Sequence, residues 1–105
     1  TLIDSAVEEI LRFRGPVQST KPGFASVDLT LHGVTIPRGK PILPLIAAAN
    51  HDPRAFDRPE RFDIARAPNR HLAFGHGVHY CLGAHLARAE TRSALINLVR
   101  RFPDL

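Results

Sequence analysis

The sequence predicts a mainly α chain with small β hairpins, an α+β arrangement, on three observations. A helical apolar period opens the chain, a long apolar-rich helix closes it, and proline and glycine cut the residues between into short β-prone runs. The chain has 105 residues, enough for one domain with a modest core. It contains no methionine and opens on Thr1, which points to a processed product or an excerpt of a longer protein.

The first element is predicted over residues 4–14. Ser5 followed by Glu8 reads as a capping box, with Asp4 as an alternative cap. Ala6, Val7, Ile10, Leu11 and Phe13 then recur at helical spacing until Gly15-Pro16 stops the run. Residues 16–44 form a β-hairpin region, with β-prone runs at 27–31 and 34–36 about a corner at His32-Gly33. A short helical patch follows at Leu45–Asn50. Residues 51–73 lack an apolar period, and so long an irregular stretch inside a compact domain is usually functional. Phe56 and Phe62 are its expected anchors. The glycine-rich loop 74–83 leads into a final helix at 84–101, closed by Pro103. That helix carries one apolar stripe through Ala84, Ala87, Leu95, Leu98 and Val99 and a second through Leu82, Leu86, Ala89 and Ile96. Helices apolar on two sides belong inside larger proteins, which again points to an excerpt.

Composition narrows the function classes. Hydrophobic residues make up 44% and charged residues 23%, ordinary values for a globular chain. No apolar run approaches the roughly twenty residues of a membrane span, and no basic-then-apolar leader opens the chain. The net charge is +4, yet basic residues alternate with acids, as at Asp57, Arg58, Glu60 and Arg61. No basic tract with interleaved aromatics suggests nucleic acid. The single cysteine, Cys81, suits a reducing cytoplasm.

Chemistry concentrates in Phe74-Gly75-His76-Gly77-Val78-His79-Tyr80-Cys81-Leu82-Gly83. Cys81 lies just before a long helix, where unpaired N–H groups and the positive end of the helix dipole stabilise an anion. Against a merely structural buried cysteine, three functional readings compete. His76, His79, Cys81 and His85 are one candidate zinc site, although the spacing lacks a C-x2-C or H-x3-H pair. Cys81 with a histidine base could act as a nucleophile, but no orienting group or oxyanion site is recognisable. A lone thiolate could instead bind a haem iron axially, with glycines letting the loop lie flat against the macrocycle.

The pattern F-x-x-G-x-x-x-C-x-G, filled by Phe74, Gly77, Cys81 and Gly83, resembles the haem-binding loop of the cytochrome P450 family, and its continuation through Ala84, Leu86, Ala87 and Arg88 resembles the bacterial branch. Further likenesses follow in the family's order. Glu9-Ile10-Leu11-Arg12 resembles its E-x-x-R helix, Asn50 to Pro53 its A-N-x-D-P segment, and Pro59-Glu60-Arg61-Phe62 its P-E-R-F meander. The resemblance implies the C-terminal, proximal haem-side portion of that fold, and a bacterial monooxygenase that inserts one atom of dioxygen into a small organic substrate. It implies haem b (iron protoporphyrin IX) with Cys81 as the iron's axial thiolate, whose electron donation favours O–O cleavage. Phe74 would pack beside the sulfur, Gly77 would make the tight turn, Gly83 would allow close approach, and His79 would donate to a haem propionate. Glu9 and Arg12 would join Arg61 in a buried network locking the meander onto the first helix, instead of forming an exposed ion pair. Electrons would come from a ferredoxin or flavodoxin with its reductase, which Arg88 and Arg92 could meet as a basic patch.

Two departures from the family pattern stand out. Gly23 occupies the position of an arginine expected to pair with the second propionate, and Lys21 is the nearest cation to replace it. Nothing resembles the central oxygen-activating helix, so no catalytic residue is assignable and these residues alone are expected to be inactive. Val17 and Gln18 fall where family members contact substrate. His71 matches a common family residue without a ligand role, and His32, His51 and His85 read as surface or turn residues. The alternatives to the family reading are a non-redox remnant and a small zinc-binding module.

Overall fold

The computed structural model describes residues 1–104. Helix α1 spans Leu2–Arg14, two residues longer at its start than expected, and Thr1 occupies the N-cap. The expected capping box does not form: Ser5 Oγ donates back to the Leu2 carbonyl, and Glu8 is engaged elsewhere. With α1 starting earlier, Ser5 lies inside the first turn, where its hydroxyl can reach a preceding carbonyl.

The strands pair in two antiparallel two-stranded sheets. Strands β2 (Leu29–Leu31) and β3 (Val34–Ile36) form the expected hairpin, with Leu31 opposite Val34. Its corner has φ of 49° at His32 and 80° at Gly33, the pair of positive values that a two-residue type I′ turn requires. Around it, β1 (Gly23–Phe24) pairs with β4 (Pro41–Ile42), a closure over the whole β2–β3 hairpin that short-range periodicity cannot show. Helix α2 (Ile46–Ala49) follows, and α3 spans Ala84–Arg101.

The core is small. Val7, Leu11, Ala25, Ile46, Phe56 and Ala84 are its buried apolar residues, where α1 packs against α2 and α3. Of the two expected meander anchors, Phe56 is buried, whereas Phe62 is 47% exposed and meets Phe13 edge to face, 5.5 Å between ring centroids. Helix α3 buries Ala84 alone, and Leu86, Leu98 and Val99 remain exposed. An open apolar groove of about 320 Å³ runs between α1, the meander and α3, lined by Ile3, Ala6, Ile10, Ile64, Leu95 and Val99 among others. The two-sided apolar character read from α3 is therefore real, and little of it is covered within these residues. No helix among the described residues is long and apolar enough to cross a membrane.

Candidate functional site

Two adjacent carboxylates on α1 hold the meander and the residues around the cysteine loop. Glu9 and Arg12, one helical turn apart, are 0% and 1% exposed, a buried pair and not a solvent-facing one. Arg12 donates Nε to Glu9 Oε2 at 2.8 Å and Nη2 to Oε1 at 2.7 Å, a bidentate fork. Its remaining donors reach the carbonyls of Asn50 (2.9 Å), Pro59 (2.9 Å) and Arg61 (3.1 Å). Arg61 thus joins the network through its main chain, and its side chain is exposed. The second guanidinium comes from Arg66, with Nε 3.2 Å from both Glu9 oxygens and further donors on the carbonyls of Asp57, Arg58 and Arg61.

The Asp63 amide and Asn69 Nδ2 complete the shell around Glu9. Burial is the strongest single influence on this carboxyl and opposes its ionisation. The hydrogen bonds from Arg12, the Asp63 amide and Arg66 together outweigh it and hold the pKa at about 2. Asn50 ties the far end: its Oδ1 accepts the Leu72 amide at 2.8 Å. Sequence reading missed Arg66, Asn50 and Asn69 in this role, because their partners (the Glu9 carboxylate, main-chain carbonyls and the Leu72 amide) lie far along the chain and carry no motif.

Glu8 faces the other way. Its Oε1 and Oε2 accept Nε and Nη2 of Arg88 at 2.6 and 2.8 Å, and its Oε2 lies 3.0 Å from His71 Nε2. His71 Nδ1 accepts the Ala73 amide, so Nε2 carries the proton that it donates to Glu8. The Arg88 hydrogen bonds lower the Glu8 carboxyl most, against the effect of burial, and His71 adds to the lowering. Burial lowers the pKa of His71 despite the opposing pull of Glu8, and so favours the neutral ring. Arg92 is likewise matched, 2.9 Å from Asp4. The expected basic patch of Arg88 and Arg92 is thus two ion pairs, not two free cations.

The cysteine loop leaves this scaffold at Phe74. The Cys81 amide donates to the Phe74 carbonyl at 2.9 Å, closing the loop on itself. Inside it, Gly77 at φ +75° starts a single 3-10 turn over Gly77–His79, and open space surrounds the position a Cβ would take. Cys81 is exposed and lies three residues before α3, whose first amide, Ala84 N, reaches back to the Cys81 carbonyl. Among the described residues, no carbonyl accepts the amides of Leu82 and Gly83, so two donors stand free beside the sulfur-bearing residue. Val78 and Leu82 flank it at 96% and 99% exposure. A lone sulfur donor beside bare apolar side chains, with no bulk at Gly77, would suit a large flat apolar group that takes one thiolate ligand.

The zinc alternative is overturned: among the described residues, no three histidine, cysteine or acidic side chains converge as a metal group would need, so His76, His79, Cys81 and His85 do not form a cage. His76, His79 and His85 are exposed. Gly23 lies in β1 opposite Ile42, and Lys21 is exposed two residues before it. Gln18 turns back to donate to the Gly15 carbonyl, while Val17 is 52% exposed.

Residues 1–103 match the sequence profile of the cytochrome P450 family. Among similar proteins, the cytochrome P450 monooxygenase PikC of Streptomyces venezuelae is 50% identical over all of this chain and 25% of its own length. The biotin biosynthesis cytochrome P450 of Bacillus subtilis is 50% identical over 99% of this chain and 26% of its own. A crystal structure of P450BioI with an acyl carrier protein ligated to hexadec-9Z-enoic acid superposes with a TM-score of 0.92 at 50% identity, covering 98% of this chain and 27% of that one. The chain spans about a quarter of the length of the curated relatives it matches.

Proposed function

Because the chain belongs to the cytochrome P450 family, whose members are haem enzymes, we propose that its residues form the proximal haem-binding part of a monooxygenase with Cys81 as axial ligand. One observation carries this reading: the single cysteine is presented at the open face of a closed loop, between the bare side chains of Val78 and Leu82. When bound, haem b supplies the oxygen activation by which one oxygen atom enters an organic substrate. The chain's own residues do the holding. Cys81 donates its sulfur, and the free amides of Leu82 and Gly83 are the nearest main-chain donors to steady a thiolate. Gly77 keeps the face flat, and Phe74 anchors the loop's start through the carbonyl that takes the Cys81 amide. His79, exposed at the end of the 3-10 turn, would donate to a propionate. The Glu9–Arg12–Arg66 cluster fixes the meander from which the loop departs. A ferredoxin or flavodoxin delivers the electrons.

The test is Cys81→Ser in the haem-loaded full-length protein. The red-shifted, thiolate-type carbon monoxide band is expected to disappear. An unchanged band, or purified protein that carries zinc or no metal in place of iron porphyrin, overturns the proposal.

A further inference from the structure

We propose that Arg88 is a positioning residue for the cysteine loop, a clamp that grips both of its ends at once; this rests on the haem-thiolate reading above. The loop begins at Phe74 and reaches Cys81 through Tyr80. The Arg88 guanidinium carbon stands 4.6 Å from the Phe74 ring centroid, stacked on its face, and Nη1 donates to Tyr80 Oη at 3.0 Å. The two rings meet edge to face at 6.3 Å. A single planar group therefore touches the residue whose carbonyl receives the Cys81 amide and the residue bonded directly to Cys81.

The clamp is itself fixed. Glu8 takes two Arg88 donors, and His71, whose side chain is 3% exposed, holds the same carboxylate from the opposite side. His71 is in turn oriented by the Ala73 amide next to Phe74. Helix α1, helix α3 and both ends of the loop thus converge on one guanidinium. Arg88 lies just past the first turn of α3, seven residues after Cys81, and its hydrogen bonds go to Glu8 and Tyr80, not to the sulfur. It acts through Phe74 and Tyr80. Lysine could keep the charge pairing with Glu8, but it has neither the planar face for Phe74 nor a fork that spans Glu8 and Tyr80 together.

The experiment compares the haem-loaded full-length protein with Arg88→Lys and Tyr80→Phe, and with Arg54→Lys as a control in an exposed ion pair remote from the loop. Two quantities are read: the rate of haem transfer to an excess of a scavenging apoprotein, and the share of carbon monoxide absorbance in the thiolate-type band. Haem transfer is expected to accelerate about tenfold in Arg88→Lys and to a smaller extent in Tyr80→Phe, with a thiol-type band growing in both. Arg54→Lys should match the parent. A lower melting temperature with unchanged haem transfer and band in both variants overturns the clamp. If Arg88→Lys does not fold, Tyr80→Phe decides by the same two readouts. Loss of the thiolate band in Cys81→Ser while both clamp variants behave as the parent leaves the haem reading standing and the clamp refuted; retention of the band in Cys81→Ser removes both.

Discussion

Glu8 and Glu9 are neighbours on one helix, yet they hold two loops in different ways. Around Glu9 the meander is closed from within: carboxylate, two guanidiniums, a side-chain amide and the carbonyls of residues 50, 57, 58, 59 and 61 leave the carboxylate 0% exposed. Around Glu8 the cysteine loop is gripped from one side only, and its other side presents Val78 and Leu82 to solvent. An irregular segment can be made rigid by buried charge when its charged groups are matched; in this network Asn69 Oδ1 is the buried side-chain atom left without a partner among the described residues. The cysteine loop shows the complementary case, in which Glu8 and Arg88 support the loop's ends while Val78 and Leu82 stay bare.

The sharpest way to break that contrast is to open the Glu9 side in the full-length protein. Glu9→Gln or Arg12→Ala leaves a buried charge without its partner and is expected to cost about 3–5 kcal/mol, read from urea unfolding. A loss under about 1 kcal/mol would make the pair equivalent to a surface ion pair and the meander self-supporting. Acid probes the same cluster. Because the folded-state pKa of Glu9 is lowered from its ordinary 4.5 to about 2, its stabilisation is complete above pH 4.5 and is lost as pH falls from 4.5 towards 2. Glu9→Gln should flatten that part of a stability-against-pH curve; an unchanged acid limb would assign the transition to other carboxylates. A smaller effect is expected from Asn50→Ala, which strands the Leu72 amide and should cost about 1–3 kcal/mol. Amide exchange at Leu72 checks it directly, since faster exchange there and not at α3 would place the damage at the meander's exit.

Much of this arrangement was legible one residue at a time. Cys81 before a helix, glycines where the loop must turn, and Glu9 and Arg12 one turn apart are all local facts, and local facts follow from spacing along the chain. The β2–β3 hairpin was equally readable, because its turn and strands lie within eight residues. Reading failed where a contact joins distant residues through groups without a signature. Arg61, Arg66 and Arg70 are alike as letters, and only the path of the meander decides that Arg66 inserts its side chain beside Glu9 while Arg61 offers a carbonyl. The β1–β4 pairing was hidden for the same reason.

Glu8 shows the division most clearly. As a letter beside Ser5 it suggests a helix cap; in space it meets an arginine 80 residues away that also touches both ends of the cysteine loop. Periodicity, turn chemistry and motif order act over a few residues and are written in the chain itself. Which charged group closes which site depends on how helices and loops cross, because a hydrogen bond is made only within about 3 Å and no linear spacing encodes that distance.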